Sequence, residues 1–280
     1  MAGCAATMPS LDEDPDVVAR RIAARAQHAQ VIYLGESHDN PHHHRNQARV
    51  LEAMLAGGAR PALAFEMLTQ AQQGVVDEVM RGSAGPVTLG TLLKWEERGW
   101  PAFDMYRPLF DLARRDGLQV VALDLDQPAV RRVATAGLGA LPNQERSALA
   151  SRLAPSARRE DGIAHEIEAA HCGLLPAGAV PGMVAAWHAR NVTMARRILQ
   201  VLERASQVVV IVGRGHQAPG GLADQVEALR PGTRQLVVDL VEVGGENPEQ
   251  AAPDNLIAWR IVWPTPAVER PDPCAPLRKR

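Results

Sequence analysis

Two apolar runs that each end in glycine and histidine decide the fold of this chain: residues 30–38, QVIYLGESH, and residues 207–216, QVVVIVGRGH. Each run is short, rich in β-branched residues and continuous in its apolar character. This pattern is typical of a strand that is buried on both faces of a parallel sheet. Glycine then lets the backbone turn sharply as it leaves the sheet. The two runs therefore predict parallel strands, each with a histidine held just beyond its carboxyl end.

Further apolar runs predict the rest of the sheet, at residues 61–65, 119–123, 235–240 and 256–262. Helical patterns alternate with these runs, and the segment Asn40-Pro41 is typical of a helix start. Alternation of strands and helices predicts an α/β fold, with a mainly parallel sheet and helices on both of its faces.

The domain organisation follows from where this alternation stops. We expect a flexible N-terminal segment over residues 1–14, one α/β domain over residues 15–263, and a Pro-rich C-terminal tail over residues 264–280. Within the domain, residues from about 127 to 205 carry no strand pattern, so we expect a helical insertion there.

The composition narrows the class of protein. The chain has 280 residues and a formal net charge of -2, which argues against a nucleic-acid partner. No apolar run reaches the ~18 residues that a membrane-spanning helix needs. The three cysteines Cys4, Cys172 and Cys274 are widely spaced, so we do not expect a disulfide framework.

Polar side chains follow four of the predicted strands directly, and they are the candidate site. They are Glu36 and His38, then Glu66, then Asp124 and Asp126, and finally His216. Ligands of open parallel sheets bind beyond the carboxyl ends of the strands, so these groups should gather at one edge. The alternative is that such residues cap helices, which we favour for Asp126 alone. Of His42, His43 and His44, at least two are expected on a solvated helical turn, because adjacent helical residues point about 100° apart.

An aromatic segment over residues 94–109 is the second notable feature. Trp95, Trp100, Phe103 and Tyr106 fall within it, in a chain where only 4% of residues are Phe, Trp or Tyr. Such a segment could line an apolar cofactor pocket beside the sheet edge. Alternatively its aromatic side chains anchor a loop to the core, which we favour for the two tryptophans.

Taken together, these motifs resemble the ChaN-like haem-binding lipoproteins. The resemblance rests, in order, on residues 31–44, on Phe65-Glu66-Met67, on Tyr106-Arg107-Pro108-Leu109, on Met194-Ala195 and on Gly213-Arg214-Gly215-His216. Asn191 stands where the family pattern leads us to expect aspartate.

The resemblance implies a haem-binding protein of bacterial iron uptake. By it, Tyr106 would ligate ferric haem iron, with Arg107 nearby. Lys94 and Arg98 lie shortly before Tyr106 in the sequence and are therefore candidates for propionate contacts, the alternative being that each is an ordinary surface charge. A tyrosine phenolate is a known axial haem ligand. The resemblance also implies a homodimer that sandwiches two haems, and a lipid anchor on Cys4 at the periplasmic face of a membrane, with the outer membrane expected.

The wider superfamily implies a rival from another class. Paired Gly-x-x-His motifs with a glutamate resemble the active sites of metal-dependent proteases and erythromycin-esterase-like hydrolases. Under that reading Glu36, His38, Glu66 and His216 would bind a divalent metal or activate water. A third alternative is a scaffold domain that has kept this site without using it.

Overall fold

A computed structural model describes residues 9–143, 146–147, 157–176, 178–244, 259–272 and 274–275. Its centre is a six-stranded sheet in which neighbouring strands are parallel, with strand order β3-β2-β4-β1-β5-β6. The strands are β1 Val31–Glu36, β2 Ala62–Thr69, β3 Val120–Asp124, β4 Val208–Gly213, β5 Gln235–Val243 and β6 Trp259–Pro266. The predicted α/β class with a parallel sheet is confirmed.

Helices connect these strands and cover the sheet. They are α1 Pro15–Ala26, α2 Pro41–Ala56, α3 Gln73–Arg81, α4 Arg107–Arg115, α5 Gln127–Ala136, α6 Ala157–Ala170, α7 Val180–Val201 and α8 Leu222–Leu229. The side chain of Asn40 caps α2 by accepting a hydrogen bond from the His42 amide at 2.8 Å. Within the described part of the chain, no helix is long and apolar enough to cross a membrane.

The two faces of the sheet bury separate apolar clusters, as expected of a sheet between two helical layers. On one face, β-strand residues pack with α1, α2 and the aromatic residues of the 94–110 segment. On the other face, alternate residues of the same strands pack against α7 and α8. Tyr33 and Leu34 are neighbours in β1 yet belong to opposite clusters, which is the two-residue period of a strand.

The segment between β3 and β4 holds α5, α6 and α7, where the helical insertion was expected. The crossing of α5 and α7 is close, because a Cβ built on Gly182 would lie 2.0 Å from the Ala134 carbonyl oxygen. Helix α7 runs back along the sheet and brings its first half to the carboxyl edge. The insertion therefore supplies one wall of the site described below.

A disulfide joins Cys172 to Cys274, across a sequence separation of 102 residues. The sequence led us to expect no disulfide framework, yet two of the three cysteines do form a disulfide. The expectation rested on the wide spacing in sequence, whereas the chain beyond β6 returns to the turn between α6 and α7. Cys4 and the rest of residues 1–8 lie outside the described residues, and the flexibility expected of residues 1–14 stays a prediction.

Candidate functional site

The strand-end groups meet at the carboxyl edge of the sheet, where β2, β4 and β1 lie side by side. Glu36 ends β1, Glu66 lies within β2, and Gly213 ends β4. Both carboxylates are almost fully buried, with 2% and 3% of their residue surface exposed. A buried carboxylate must be hydrogen-bonded or paired, so the donors around each one define the site.

Glu36 accepts hydrogen bonds from side chains on three elements. Its Oε1 lies 2.6 Å from the Tyr106 hydroxyl and 2.8 Å from His38 Nδ1, and its Oε2 lies 2.6 Å from Gln47 Nε2. Burial alone would raise the pKa of Glu36, but the neighbouring imidazoles of His44 and His38 hold it well below the usual value. Glu36 is therefore ionised at neutral pH, and its carboxylate fixes the ring of His38.

The carboxylate of Glu66 is hydrogen-bonded and paired by a different set of donors. Its Oε1 lies 2.8 Å from Arg190 Nη2 and 3.2 Å from His216 Nε2, while its Oε2 accepts the Gly213 amide at 2.7 Å. Burial would raise the pKa of Glu66, but His216 and Arg190 lower it well below the usual value. Arg190 also binds Asp124, with Nε 2.8 Å from Oδ2. One guanidinium thus neutralises two strand-end carboxylates.

His38 is the member of this cluster that reaches solvent, with 31% of its side chain exposed. Its Nε2 lies over Gly213, where a Cβ would come within 2.6 Å of that nitrogen. Burial lowers its pKa, but the hydrogen bond to Glu36 and the charge of Glu66 raise it above the ordinary value. Gly213 is therefore required here for close approach, and the fixed imidazole stays partly open to solvent beyond the carboxyl ends of the strands, where parallel sheets form their ligand crevice.

Two half-buried tryptophans flank the histidines of this crevice. The ring of Trp100 meets His38 edge-on, with centroids 4.9 Å apart. The ring of Trp187 lies parallel to His216 at 6.3 Å, and its Nε1 donates to the Gly215 carbonyl. Asn191 Oδ1 lies 2.9 Å from His216 Nδ1 and orients that ring. We call this space, bounded by Trp100, His38, His216 and Trp187, the edge crevice.

Tyr106 does not face the edge crevice, contrary to the role implied by the family resemblance. None of its surface is exposed, its hydroxyl donates to Glu36, and its ring packs against His44 and Trp95. Burial and the nearby Glu36 carboxylate raise its pKa far above the ordinary value, which disfavours a phenolate. Ligation by Tyr106 would require the aromatic core around it to open, so this structure does not fit that assignment.

The three basic residues predicted beside Tyr106 lie in different environments. Arg107 is on the outside of α4 and pairs with Asp104 at 3.0 Å. Lys94 is exposed, lies 3.6 Å from Glu97 and lines a separate shallow groove with Val87 and Thr91. Arg98 alone reaches the sheet edge, where Nη2 donates to the Met67 carbonyl at 3.0 Å. Its Nη1 is buried and makes no hydrogen bond among the described residues, so a carboxylate would find an unused donor there once the cover over this nitrogen moves aside.

The structure gives no support to a divalent-metal site. Within the described ranges, no group of three or more His, Cys, Asp or Glu side chains is placed to hold a metal ion. The physical reason is that Glu66 and Asp124 already bind Arg190, and Glu36 already binds three donors. A cation would have to displace an arginine that lies in the same place.

The prediction that two of the three adjacent histidines are solvated is wrong. His43 and His44 are both buried. His43 Nδ1 accepts the Ser37 amide, and His44 Nε2 bonds the His38 carbonyl at 2.7 Å. The first helical turn of α2 packs against the loop that follows β1. Of the three histidines, only His42 therefore faces outward.

Sequence reasoning missed Arg190, Asn191, Gln47 and Trp187 as parts of the site. A signal existed for Arg190, since several carboxylates converging at one buried edge require a buried cation. Arg190 lies in the largely apolar stretch 180–195, VPGMVAAWHARNVTMA, where a charged residue needs a partner.

The charge state of the two buried glutamates predicts acid sensitivity. Their pKa values are lower in the folded chain than the unfolded value of about 4.3, so they stabilise the fold above that value and lose this contribution as pH falls below it. We expect the free energy of unfolding to fall progressively as pH drops below about 5, and to keep falling below pH 3 because the folded-state pKa values lie well below the ordinary one, as measured by urea denaturation. A Glu36→Gln/Glu66→Gln variant should be less stable at pH 7 but show a flatter decline, and an unchanged decline would contradict this.

Comparison with known proteins identifies relatives of the chain. Residues 22–226 match the family described as haem-binding uptake, Tiki superfamily, ChaN. The structure is similar to ChaN of Campylobacter jejuni, described as binding haem cofacially, with a TM-score of 0.66 and 18% identity over 81% of this chain and 86% of that one. It is also similar to the type III effector HopBA1, with a TM-score of 0.52 and 14% identity over 95% and 99% of the two chains. No curated protein matches the sequence.

Proposed function

This chain belongs to the ChaN family of haem-binding uptake proteins, and we propose that it holds ferric haem as cargo in the edge crevice. The placement of haem rests on one observation: two half-buried aromatic side chains lie at the sheet edge together with an arginine that has an unused hydrogen-bond donor. Trp100 and Trp187 offer ring surfaces for a flat macrocycle, and Arg98 Nη1 offers a hydrogen bond to a propionate.

The fit of haem to these residues is partial. The walls and Arg98 suit the apolar ring and the carboxylates of haem, whereas Tyr106 is closed off in the core. We therefore place the haem by its ring and propionates and assign no ligation to Tyr106. The chain would act as a holder or relay for haem in iron uptake.

A second protomer is part of the proposal. Lys94 is exposed and lies outside its own edge crevice, so a propionate contact from Lys94 would be made in the partner's site. This suits a haem-bridged homodimer of the cofacial kind described for the relative. Light scattering with and without ferric haem tests it: the mass should double with haem, and an unchanged monomer mass would contradict the bridge.

We also propose that the natural protein works at the periplasmic face of a bacterial membrane, lipid-anchored through Cys4, with the outer membrane expected. The disulfide between Cys172 and Cys274 supports an oxidising compartment. Labelling cells that express the full chain with a radioactive fatty acid tests the anchor. The label should be lost in Cys4→Ser, and label retained in that variant would contradict it.

Arg98→Ala is expected to weaken haem binding about ten- to hundredfold, because a hydrogen bond to a charged group such as a propionate is worth ~1.5–3 kcal/mol. Absorbance titration with ferric haem measures this. The matched control is Arg107→Ala, since Arg107 lies nearby in sequence but pairs with Asp104 at the surface. Equal affinity for Arg98→Ala and the wild type would contradict a propionate contact at Arg98.

A second candidate function is hydrolysis without a metal, and one observation favours it. His38 is held by a buried, ionised Glu36 while its ring faces solvent, which is the arrangement of a general base and its orienting carboxylate. Hydrolysis of a panel of chromogenic esters and peptides tests this. Turnover by the wild type that disappears in His38→Ala and Glu36→Gln would support the hydrolase. If the wild type is no faster than these variants, hydrolysis of those substrates is excluded.

A further inference from the structure

The chain that follows β6 crosses the rim of the site and is fastened at both ends. We call residues 264–275, as far as they are described, the strap. Near its start, the Thr265 hydroxyl lies 2.8 Å from His43 Nε2, and the Pro266 carbonyl accepts a hydrogen bond from Asn40 Nδ2 at 3.1 Å. At its far end, Cys274 is bonded to Cys172 in the turn after α6.

Arg270 fixes the middle of the strap to the turn that carries His38. Its Nε and Nη2 bind Asp39 at 2.6 and 2.7 Å, and its Nη1 binds Glu242 at 2.7 Å. Glu242 in turn accepts a hydrogen bond from Asn40 at 2.6 Å. The strap therefore holds residues 39–43, which belong to the β1–α2 turn and to the start of α2, from the outside.

The covalent end of the strap joins two walls of the edge crevice that sequence keeps far apart. Cys172 lies in the turn between α6 and α7, and α7 carries Trp187, Arg190 and Asn191. The disulfide thus links the wall built by α7 to the turn that holds His38. Half of the side chain of Asp39 is exposed, and exposed ion pairs contribute little alone. Without the disulfide, the Arg270 contacts would have to hold the strap unaided.

We propose that the strap is a thiol-controlled clamp on the β1–α2 turn, closed in the disulfide form and loosened by reduction. Both cysteines are partly exposed, so an external dithiol of the thioredoxin type can reach the bond. A thiolate of that dithiol attacks one sulfur of the protein disulfide, which releases one protein thiol and forms a mixed disulfide. The second thiol of the dithiol then attacks the mixed disulfide and releases the other protein thiol. Two electrons and two protons pass to Cys172 and Cys274, which leave as two thiols, while the dithiol becomes a disulfide. The clamp does not depend on haem binding.

Thiol counting and hydrogen exchange on the full chain test the clamp. The chain has three cysteines, so protein purified without lipid on Cys4 and kept under oxidising conditions should show one reactive thiol when denatured, from Cys4, and three after reduction. Reduction should then speed amide exchange in residues 37–44 about tenfold, through lower local opening free energies, while exchange in α1 stays unchanged. Cys172→Ser/Cys274→Ser should show the fast exchange without reductant, and Cys4→Ser should behave as the wild type.

Three outcomes would overturn the proposal. Three reactive thiols in the oxidised preparation would show that the bond does not form. Equal exchange in residues 37–44 before and after reduction would show that the bond does not control the turn. Faster exchange throughout the chain, α1 included, would show that the bond braces the whole fold. Arg270→Ala gives an independent reading that does not alter the cysteines, and it should speed exchange in the same residues.

Discussion

Arg190→Ala is expected to lower the free energy of unfolding by about 3–5 kcal/mol, the cost of removing one partner of a buried ion pair. The guanidinium binds both Glu66 and Asp124, whose side chains are 3% and 9% exposed. Without it, two adjacent carboxylates would be left at a buried edge with no cation between them. Chemical denaturation at pH 7 measures the loss.

The control for Arg190 is an arginine in an exposed pair. Arg49 binds Asp16 at 2.9 Å at the surface, and Arg49→Ala should cost less than about 1 kcal/mol. A second check is chemical. Neutralising the partners in Arg190→Met/Glu66→Gln/Asp124→Asn should recover part of the loss, because the uncompensated charges are then gone. A loss below 1 kcal/mol in Arg190→Ala would contradict the account of a charge-compensated site.

Tyr106→Ala and Tyr106→Phe separate the core role of this residue from the ligand role implied by the family. Loss of the whole ring in Tyr106→Ala should cost about 3–5 kcal/mol of stability, because the ring fills a fully buried position between His44 and Trp95. Loss of the hydroxyl alone in Tyr106→Phe should cost about 1–3 kcal/mol, since Glu36 then lacks one of its donors.

The spectrum of the haem complex is the second reading for Tyr106→Phe. We expect the visible spectrum of this variant with ferric haem to match that of the wild type, because the hydroxyl lies in the core. Tyr33→Phe is the matched control, as Tyr33 is the other tyrosine of the chain and donates to Gln235 inside the sheet. If the haem spectrum changes in Tyr106→Phe but not in Tyr33→Phe, Tyr106 ligates the iron and the core must open around it.

Much of the fold could be predicted because buried parallel strands leave a direct mark on the sequence. The runs before Gly35 and Gly213 gave two central strands, and the convergence of Glu36, Glu66 and His216 followed from parallel topology alone. Strand ends were less accurate. β2 continues past Glu66 to Thr69, because its register with β3 shifts between Phe65 and Thr69.

The parts of the site that sequence reasoning missed depend on contacts between distant elements. Arg190 meets Glu66 across 124 residues, and Cys172 meets Cys274 across 102. The sequence around each of these residues contains no local pattern that identifies its distant partner. The motif located Tyr106 in the sequence, yet the side that its hydroxyl faces is set by how His44 and Trp95 pack against its ring. The motifs thus predicted which edge of the sheet carries the candidate site. The direction of each side chain could not be predicted, because it depends on packing between distant elements.

The most direct test of the central claim is a visible-absorbance titration of the chain with ferric haem, run beside Trp100→Ala/Trp187→Ala. These two rings form the walls of the edge crevice and are half-buried, so their removal should leave the fold intact, which far-ultraviolet circular dichroism checks. We predict saturable binding to the wild type and at least about tenfold weaker binding to the variant, since aromatic contact area dominates recognition at such sites. No saturable binding to the wild type, or equal binding to both proteins, would contradict the claim that this crevice holds haem.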